Sequence, residues 1–518
     1  MNGAESIIRT AIAAGVDVCF ANPGTTEMPL VAALDSAPGV RAILGLFEGV
    51  CTGAADGYGR MAEKPALTIL HLGPGFANGA ANLHNARRAH SPIVNLVGDH
   101  ATWHVAHDAP LASDIVSLAT PVSGWVRSVR DAANAADATA QAIAAAGHMP
   151  GRVATLIVPS DCQWESVASH AAPIPPAAPP AVSSDAVRRA ASLLRQSGRA
   201  VLYLGGAALR ARGLAAAARI AAKSGCALIC ETFPSRIERG AGMPAVERLP
   251  YFPTQAIDAL KPFASIVVAG AAKPVAFFGY RNIPSELASP VAAIEPLASP
   301  HDDVPAALEA LADELGAGKA ATGLNLRQKI ARAGKPVGRL DAASLGAALA
   351  ATMPEGAIVM DEAITTGMPF FAASAGAAPH SYLTLTGGAL GQGMPCAAGA
   401  AVACPDRRTI AFQADGAGMY TLQALWTHAR ESLNVTTVIC NNSRYRILQV
   451  ELAHSGVAEP GPNARRLTEL SNPSLDWTSL ARGMGIPAVR VDTAEAAAIA
   501  LERSFSTVGP SLIEAMIG

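Results

Sequence analysis

TIAFQADGAGMYTLQALW (residues 409–426), followed by LNVTTVICNNSRYRILQ (433–449), is the part of the chain on which the fold turns. TIAFQ and TTVIC are short, apolar, rich in Ile, Val and Thr, and bounded by polar or glycine residues, as buried strands of a parallel sheet are. Between them Leu422, Leu425, Trp426 and Ala429 fall at helical spacing. The unit therefore reads strand, helix, strand. Ligands of such sheets bind outside the carboxyl ends of the strands, which is where Ala414-Asp415-Gly416 and Asn441-Asn442 stand.

Asp415 offers a hard carboxylate oxygen, and Asn442, 27 residues later, an amide oxygen. A magnesium ion takes about six oxygens in octahedral array, few of them from protein and the rest from water and phosphate. One carboxylate, one amide oxygen and a backbone carbonyl just beyond Asn442 leave room for two diphosphate oxygens. Gly416 and the Ala417 amide open the next helix, where N–H groups and the helix dipole favour an anion. Taken singly, each piece is explained as well by an Asp capping a helix and by an Asn-Asn turn. Their pairing at matched strand ends favours a diphosphate cofactor held through magnesium.

The chain has 518 residues, a length that suggests about three domains. Half of the residues are hydrophobic and 15% charged, which describes compact globular domains. No apolar run reaches the roughly 18 residues of a membrane span. The start, MNGAESIIRTAIAAGVDV, has no basic region or cleavage site, so a soluble, cytoplasmic protein is expected. A net charge of −2 argues against nucleic acid or an anionic membrane as partner. Eight cysteines spread over this length make no disulfide framework, and Cys226 and Cys230 in CALIC read as buried strand cysteines.

The clearest linker is SHAAPIPPAAPPAVSSDA (169–186), whose five prolines favour extended geometry. Before it, VDVCFANPG, VRAILGLFE, PALTILHLGPG, SPIVNLVGD and RVATLIVPSD read as strands alternating with Ala-rich helical stretches. After it, Ser183-Ser184-Asp185 can cap the helix AVRRAASLLRQ, and AVLYLGG, CALICET and SIVVAGA follow as strands. The polar stretch 315–336 precedes a last segment with strands at AIVMDE, TIAFQAD, TTVICNN and PSLIEAM. The expected fold is α/β, three doubly wound domains with parallel sheets, at 1–168, 183–320 and 341–518.

ADG followed by NN at this spacing is similar to the thiamine-diphosphate motif usually written GDG…NN, with Ala414 replacing the first glycine. The whole chain resembles the thiamine-diphosphate-dependent 2-oxo acid decarboxylase and acetolactate synthase family, benzoylformate decarboxylase most of all. The resemblance implies a pyrimidine-binding N-terminal domain, a middle domain and a diphosphate-binding C-terminal domain. It implies Asp415, Asn442 and the Arg444 carbonyl as magnesium ligands, and Thr365 in DEAITTG at the diphosphate. In TGGALGQGMP it places the Gly388 carbonyl on the aminopyrimidine and Leu390 beneath the bent cofactor. Gly416, Ala417 and Tyr445 complete the cofactor contacts.

Glu48 in AILGLFEGVCTGAADGYGR closes an apolar strand before a Gly/Ala-rich helix. By position alone it is a first-turn glutamate favoured by the helix dipole. The resemblance makes it catalytic, sharing a proton with the cofactor's pyrimidine, and implies decarboxylation of a 2-oxo acid with the thiazolium as electron sink. It also places Thr25 of NPGTTE and His71 of LHLGPG at the substrate, with satisfied core histidine as the plainer account of His71. Phe277 and Phe278 stand where benzoylformate decarboxylase has a second histidine, and Leu448 where pyruvate decarboxylases have a glutamate. His100, His104 and His107 form a loop group that could line the pocket. No flavin-binding segment is recognised, and YLGGAALRARG reads as a strand-to-helix turn, which argues against FAD. A homo-oligomer is implied, at least a dimer and commonly a tetramer, with Glu48 and Asp415 acting from different subunits. The alternatives are a carboligase of the acetolactate synthase type that needs no FAD, and a noncatalytic cofactor-binding paralogue. A nicotinamide oxidoreductase is opposed by the lack of a G-x-G-x-x-G turn with its acidic partner.

Overall fold

The structure is a computed structural model that describes residues 1–196, 198–318 and 334–517. Most of the polar stretch 315–336 lies outside the described residues. The chain divides into two compact units: Met1–Ala177 with Arg332–Ser374 and Leu385–Gly518, and Ala178–Ala331 with Ala375–Thr384. The first division falls inside the proline linker, where the backbone has no regular structure between 169 and 183.

In the first unit, β1 (Val18–Asn22), β2 (Arg41–Leu44), β3 (Ala66–His71), β4 (Ile93–Asp99), β5 (Trp125–Ser128) and β6 (Val153–Pro159) form one sheet. Its order is β2-β1-β3-β4-β6-β5, parallel throughout. The central strands are buried on both faces, which is why β3, β4 and β6 read as continuous Ile, Val and Leu runs. The strand order reverses between β1 and β3, so their carboxyl ends flank the crevice in which a doubly wound sheet binds ligands. The LGPG segment after His71 is not strand but the first turn of the helix Leu72–Ala89. Pro74 fits there because the first turn of a helix has no use for its missing N–H.

The second unit holds β7 (Ala200–Leu204), β8 (Ala227–Cys230), β9 (Ile237–Arg239), β10 (Glu247–Arg248), β11 (Ser265–Ala269) and β12 (Ala293–Ala298). Five of these form a parallel sheet, β10-β8-β7-β11-β12. The Ser183 hydroxyl accepts the Ala186 N–H, capping the helix Ser184–Gln196. Cys230, the last residue of β8, and Cys226, just before that strand, are free and buried. Glu231, at the carboxyl end of β8, accepts the Gly206 N–H at 3.2 Å, and burial pushes its carboxyl up to about 7.

The first unit's second sheet contains β13 (Ile358–Glu362), β15 (Thr409–Ala414), β16 (Val435–Asn441), β17 (Ala488–Val491) and β18 (Ser511–Met516); β14 (His380–Thr384) belongs to the second unit, where it pairs antiparallel with β9. The order β17-β18-β16-β15-β13 is parallel, with Ala414 level with Cys440. Asp415 and Asn441 are therefore neighbours at the sheet's carboxyl edge. Strands β5 and β17, absent from the sequence expectation, lie at sheet edges and are only partly buried, so they lack the apolar run that marks their central neighbours. The expected long helix after Asp415 is shorter, a turn at Asp415–Gly418 and a helix at Ala424–Arg430.

The helix Glu48–Ala62 is buried along almost all its length and crosses the helix Gly393–Ala403. The crossing is close because it is built on small residues: a Cβ at Gly399 would stand 1.7 Å from the Ala54 carbonyl oxygen. A buried ion pair reinforces it. Arg60 grips Asp56 with Nε at 2.8 Å and Nη2 at 2.7 Å, Gln392 Nε2 and Ser91 Oγ donate to the same carboxylate, and Arg60 Nη2 donates to Thr386 at 3.0 Å.

Candidate active site

Asp415 is buried at the first position after β15, where the chain turns into Asp415–Gly418. Its Oδ1 accepts the Gly416 N–H at 2.9 Å and its Oδ2 the Ser443 N–H at 2.7 Å. Burial pushes its carboxyl upward against these bonds and that of the Asn442 amide. The ADG and NN segments thus meet at one point. The two asparagines divide the work there. Asn441 is a structural residue, its Nδ2 donating to the buried Glu514 at 2.7 Å. Asn442 is half-buried, and its Oδ1 accepts the Arg444 N–H at 3.1 Å.

The donor set fits a magnesium diphosphate. Desolvating a carboxylate is costly, and a bound dication would offset that cost. Among the described residues no group of three or more His, Cys, Asp or Glu side chains could hold a metal by itself. Tyr445 is half-buried beside Gly416. Thr365 is half-buried and follows Ile364, a β-branched residue held at φ +53. Such backbone is strained, and strain of this kind gathers at functional sites. Ser443 (φ +53) and Leu72 (φ +51) flank Asn442 and His71 in the same way. Gly388 is exposed at φ +79 and Leu390 is half-buried, on the turn before the helix Gly393–Ala403.

Glu48 is the first residue of its helix and is 8% exposed. Its Oε2 accepts from Asn78 Nδ2 at 3.0 Å. A Cβ at Gly75 would stand 3.2 Å from Glu48 Oε1 and 3.3 Å from His71 Cβ, so this glycine joins the two candidate catalytic residues.

His71 ends β3 with its ring against Gly24, and its Nδ1 lies 2.8 Å from Glu27 Oε2. Glu27 is wholly buried and also accepts the Gly24 N–H at 2.8 Å and the Thr26 hydroxyl. A carboxylate only accepts, so Nδ1 carries the proton and Nε2 is left for the site. Sequence reasoning missed Glu27 and Asn78. The first stood in the quoted NPGTTE, and a carboxylate two residues after Thr25 at a strand end was the signal. Thr25 itself is exposed, while Thr26 is the hydroxyl that reaches His71 Nδ1, at 3.2 Å.

The loop after β4 packs His100 against His104 and His104 against His107, with ring centroids 5.3 and 5.6 Å apart and the rings tilted by 58° and 45°. In the other unit Phe277 packs on Phe233, Tyr251 and Phe278.

Comparison with known proteins places the chain in a family. Residues 1–118 match the thiamine pyrophosphate enzyme N-terminal TPP binding domain, and 367–515 the C-terminal TPP binding domain. A Mycobacterium tuberculosis protein provisionally named acetolactate synthase large subunit IlvX is 49% identical over 518 residues, covering 100% of this chain and 99% of the relative. Benzoylformate decarboxylase of Pseudomonas aeruginosa is 28% identical, with 96% of each chain covered. Among solved structures, the thiamine diphosphate-dependent 4-hydroxybenzoylformate decarboxylase of Rhodococcus jostii RHA1 superposes with a TM-score of 0.87 at 26% identity, over 100% of this chain and 99% of that one. With a full-length relative at this identity and both cofactor-binding domains matched, the chain belongs to the thiamine pyrophosphate enzymes of the acetolactate synthase and benzoylformate decarboxylase family.

Proposed function

We propose that the protein decarboxylates a 2-oxo acid with thiamine diphosphate and magnesium. The observation that carries this reading is the Glu27-oriented His71 beside Glu48, because a proton-transfer pair has no use in a protein that only stores the cofactor. Asp415, Asn442 and the Arg444 carbonyl would hold the magnesium. Thr365, Gly416, Ala417 and Tyr445 would surround the diphosphate, and Gly388 and Leu390 the organic rings. The cofactor, when bound, supplies the electron sink for the carbon next to the substrate carbonyl.

The chain's own residues supply the proton handling. Glu48 Oε2 is taken by Asn78, so Oε1 is the oxygen that would hold a proton toward a bound cofactor. His71, fixed through Nδ1, gives and takes protons at Nε2 on the substrate side, with Thr25 and Thr26 on the same turn. Dimers at least, and tetramers as the assembled form, would bring Glu48 of one subunit to Asp415 of another in a cytoplasmic enzyme without FAD. No helix among the described residues is long and apolar enough to cross a membrane.

The 49% relative favours a second outcome of the same chemistry, transfer to a second carbonyl as in an acetolactate synthase. Incubation with thiamine diphosphate, magnesium and a panel of aliphatic and aromatic 2-oxo acids, with carbon dioxide and products followed by NMR, separates the two. An aldehyde supports decarboxylation and an acyloin or acetohydroxy acid supports carboligation. Bound cofactor without turnover would sink both.

A further inference from the structure

Glu362 ends β13 at 1% exposure, and its partners are four neutral N–H donors. Oε1 accepts the backbone N–H of Gly391 at 2.7 Å and of Gln392 at 3.3 Å. Oε2 accepts the N–H of Gly393 at 2.7 Å and Gln413 Nε2 at 2.9 Å. Three successive amides around one anion form a nest, and they are the donors that the start of the helix Gly393–Ala403 would otherwise leave unmet. The seat is tight, since a Cβ at Gly393 would meet Gln413 Oε1 at 2.1 Å. The same turn is held from its other side, where the Gly391 carbonyl accepts from Asn82 Nδ2 at 3.2 Å and Thr421 Oγ1 at 2.9 Å.

A buried carboxylate is an expensive way to end a strand, and an apolar residue would pack there at lower cost. What the carboxylate alone provides is a fixed point onto which three consecutive amides converge. Burial pushes this carboxyl up to about 7, while the four donors favour its ionised form, in which it fills the helix N-terminus. We propose that Glu362 is a positioning residue for the cofactor: it locks the Gly388–Gly393 turn before the cofactor arrives, so that the Gly388 carbonyl and Leu390 are displayed in one conformation. This rests on the reading of Gly388 and Leu390 as cofactor contacts.

The test titrates thiamine diphosphate with magnesium chloride into the wild-type protein, Glu362→Gln and Glu362→Asp by calorimetry, alongside melting temperature and peptide-level hydrogen exchange. Glu362→Gln turns one acceptor oxygen into a donor facing an N–H. Its cofactor Kd should rise at least tenfold at a temperature where the fold is intact, with Glu362→Asp in between. In the wild type without cofactor, the peptide containing 391–393 should already exchange slowly. A merely structural role would lower the melting temperature and leave Kd and the graded rescue unmoved. Unchanged Kd in a folded variant overturns the proposal, as does fast exchange of 391–393 in the cofactor-free wild type, a reading that stands even if both variants fail to fold. If the wild type itself binds no thiamine diphosphate, the site reading fails first and the proposal falls with it.

Discussion

Glu27 Oε2 and His71 Nδ1 stand 2.8 Å apart, the carboxylate wholly buried and the imidazole partly open. The pair joins the carboxyl ends of β1 and β3, the point at which the strand order of the N-terminal sheet reverses. A buried acceptor fixes the histidine's tautomer, and with it which nitrogen carries the proton.

Glu27→Gln should therefore lower kcat by about 100-fold or more, since an amide can donate to Nδ1 and stabilise the opposite tautomer. Cofactor affinity should stay near the wild-type value. Steady-state kinetics across pH beside a cofactor titration checks this, and wild-type turnover in the variant would remove Glu27 from the mechanism.

Glu48→Gln keeps the shape and the Asn78 contact but cannot exchange a proton. Turnover should drop by about 100- to 10,000-fold, the usual worth of a positioned acid-base group. Magnesium and thiamine diphosphate binding should survive. Retained turnover would end the proton-relay assignment.

Removing the cation tests the Asp415 end. Dialysis against EDTA should abolish turnover and release thiamine diphosphate, and magnesium with cofactor should restore both. Asp415→Ala should resist that restoration, because it loses the carboxylate that also accepts from Gly416 and Ser443.

Gly399→Ala tests the helix crossing. A Cβ 1.7 Å from the Ala54 carbonyl oxygen forces two helix backbones apart. Overpacking of this kind costs about 1–3 kcal/mol or more. A chemical denaturation midpoint equal to that of the wild type would show that the crossing is looser than described.

Glu231 predicts a pH effect on stability. Its folded carboxyl is pushed up to about 7 by burial, against an ordinary value of 4.5. Between these values the unfolded chain has lost the proton that the folded one keeps, so stability is full below about 4.5 and is lost as pH rises towards 7. The window corresponds to about 3 kcal/mol. Glu231→Gln should flatten this part of the stability profile, measured by denaturation at pH 5 and pH 7.5. A profile parallel to the wild type would show that Glu231 ionises normally in the folded protein.

The sequence by itself determined the α/β class, the central strands of each sheet and the place of the ADG and NN segments at strand ends. Doubly buried strands must be continuously apolar, and polar residues that close such runs mark the carboxyl edge of the sheet. It did not reveal edge strands β5 and β17, whose exposed faces dilute the apolar signal. Nor did it show that Asn441, the last residue of β16, serves Glu514 while half-buried Asn442 lies just beyond the strand, because only the packed sheet decides which of two neighbouring residues faces its interior. Glu27 beneath His71, Asn78 on Glu48 and Glu362 inside its ring of amides were decided by the tertiary structure alone. Each joins residues from separate elements, and hydrogen bonds of that kind depend on where the chain returns, which local pattern does not record.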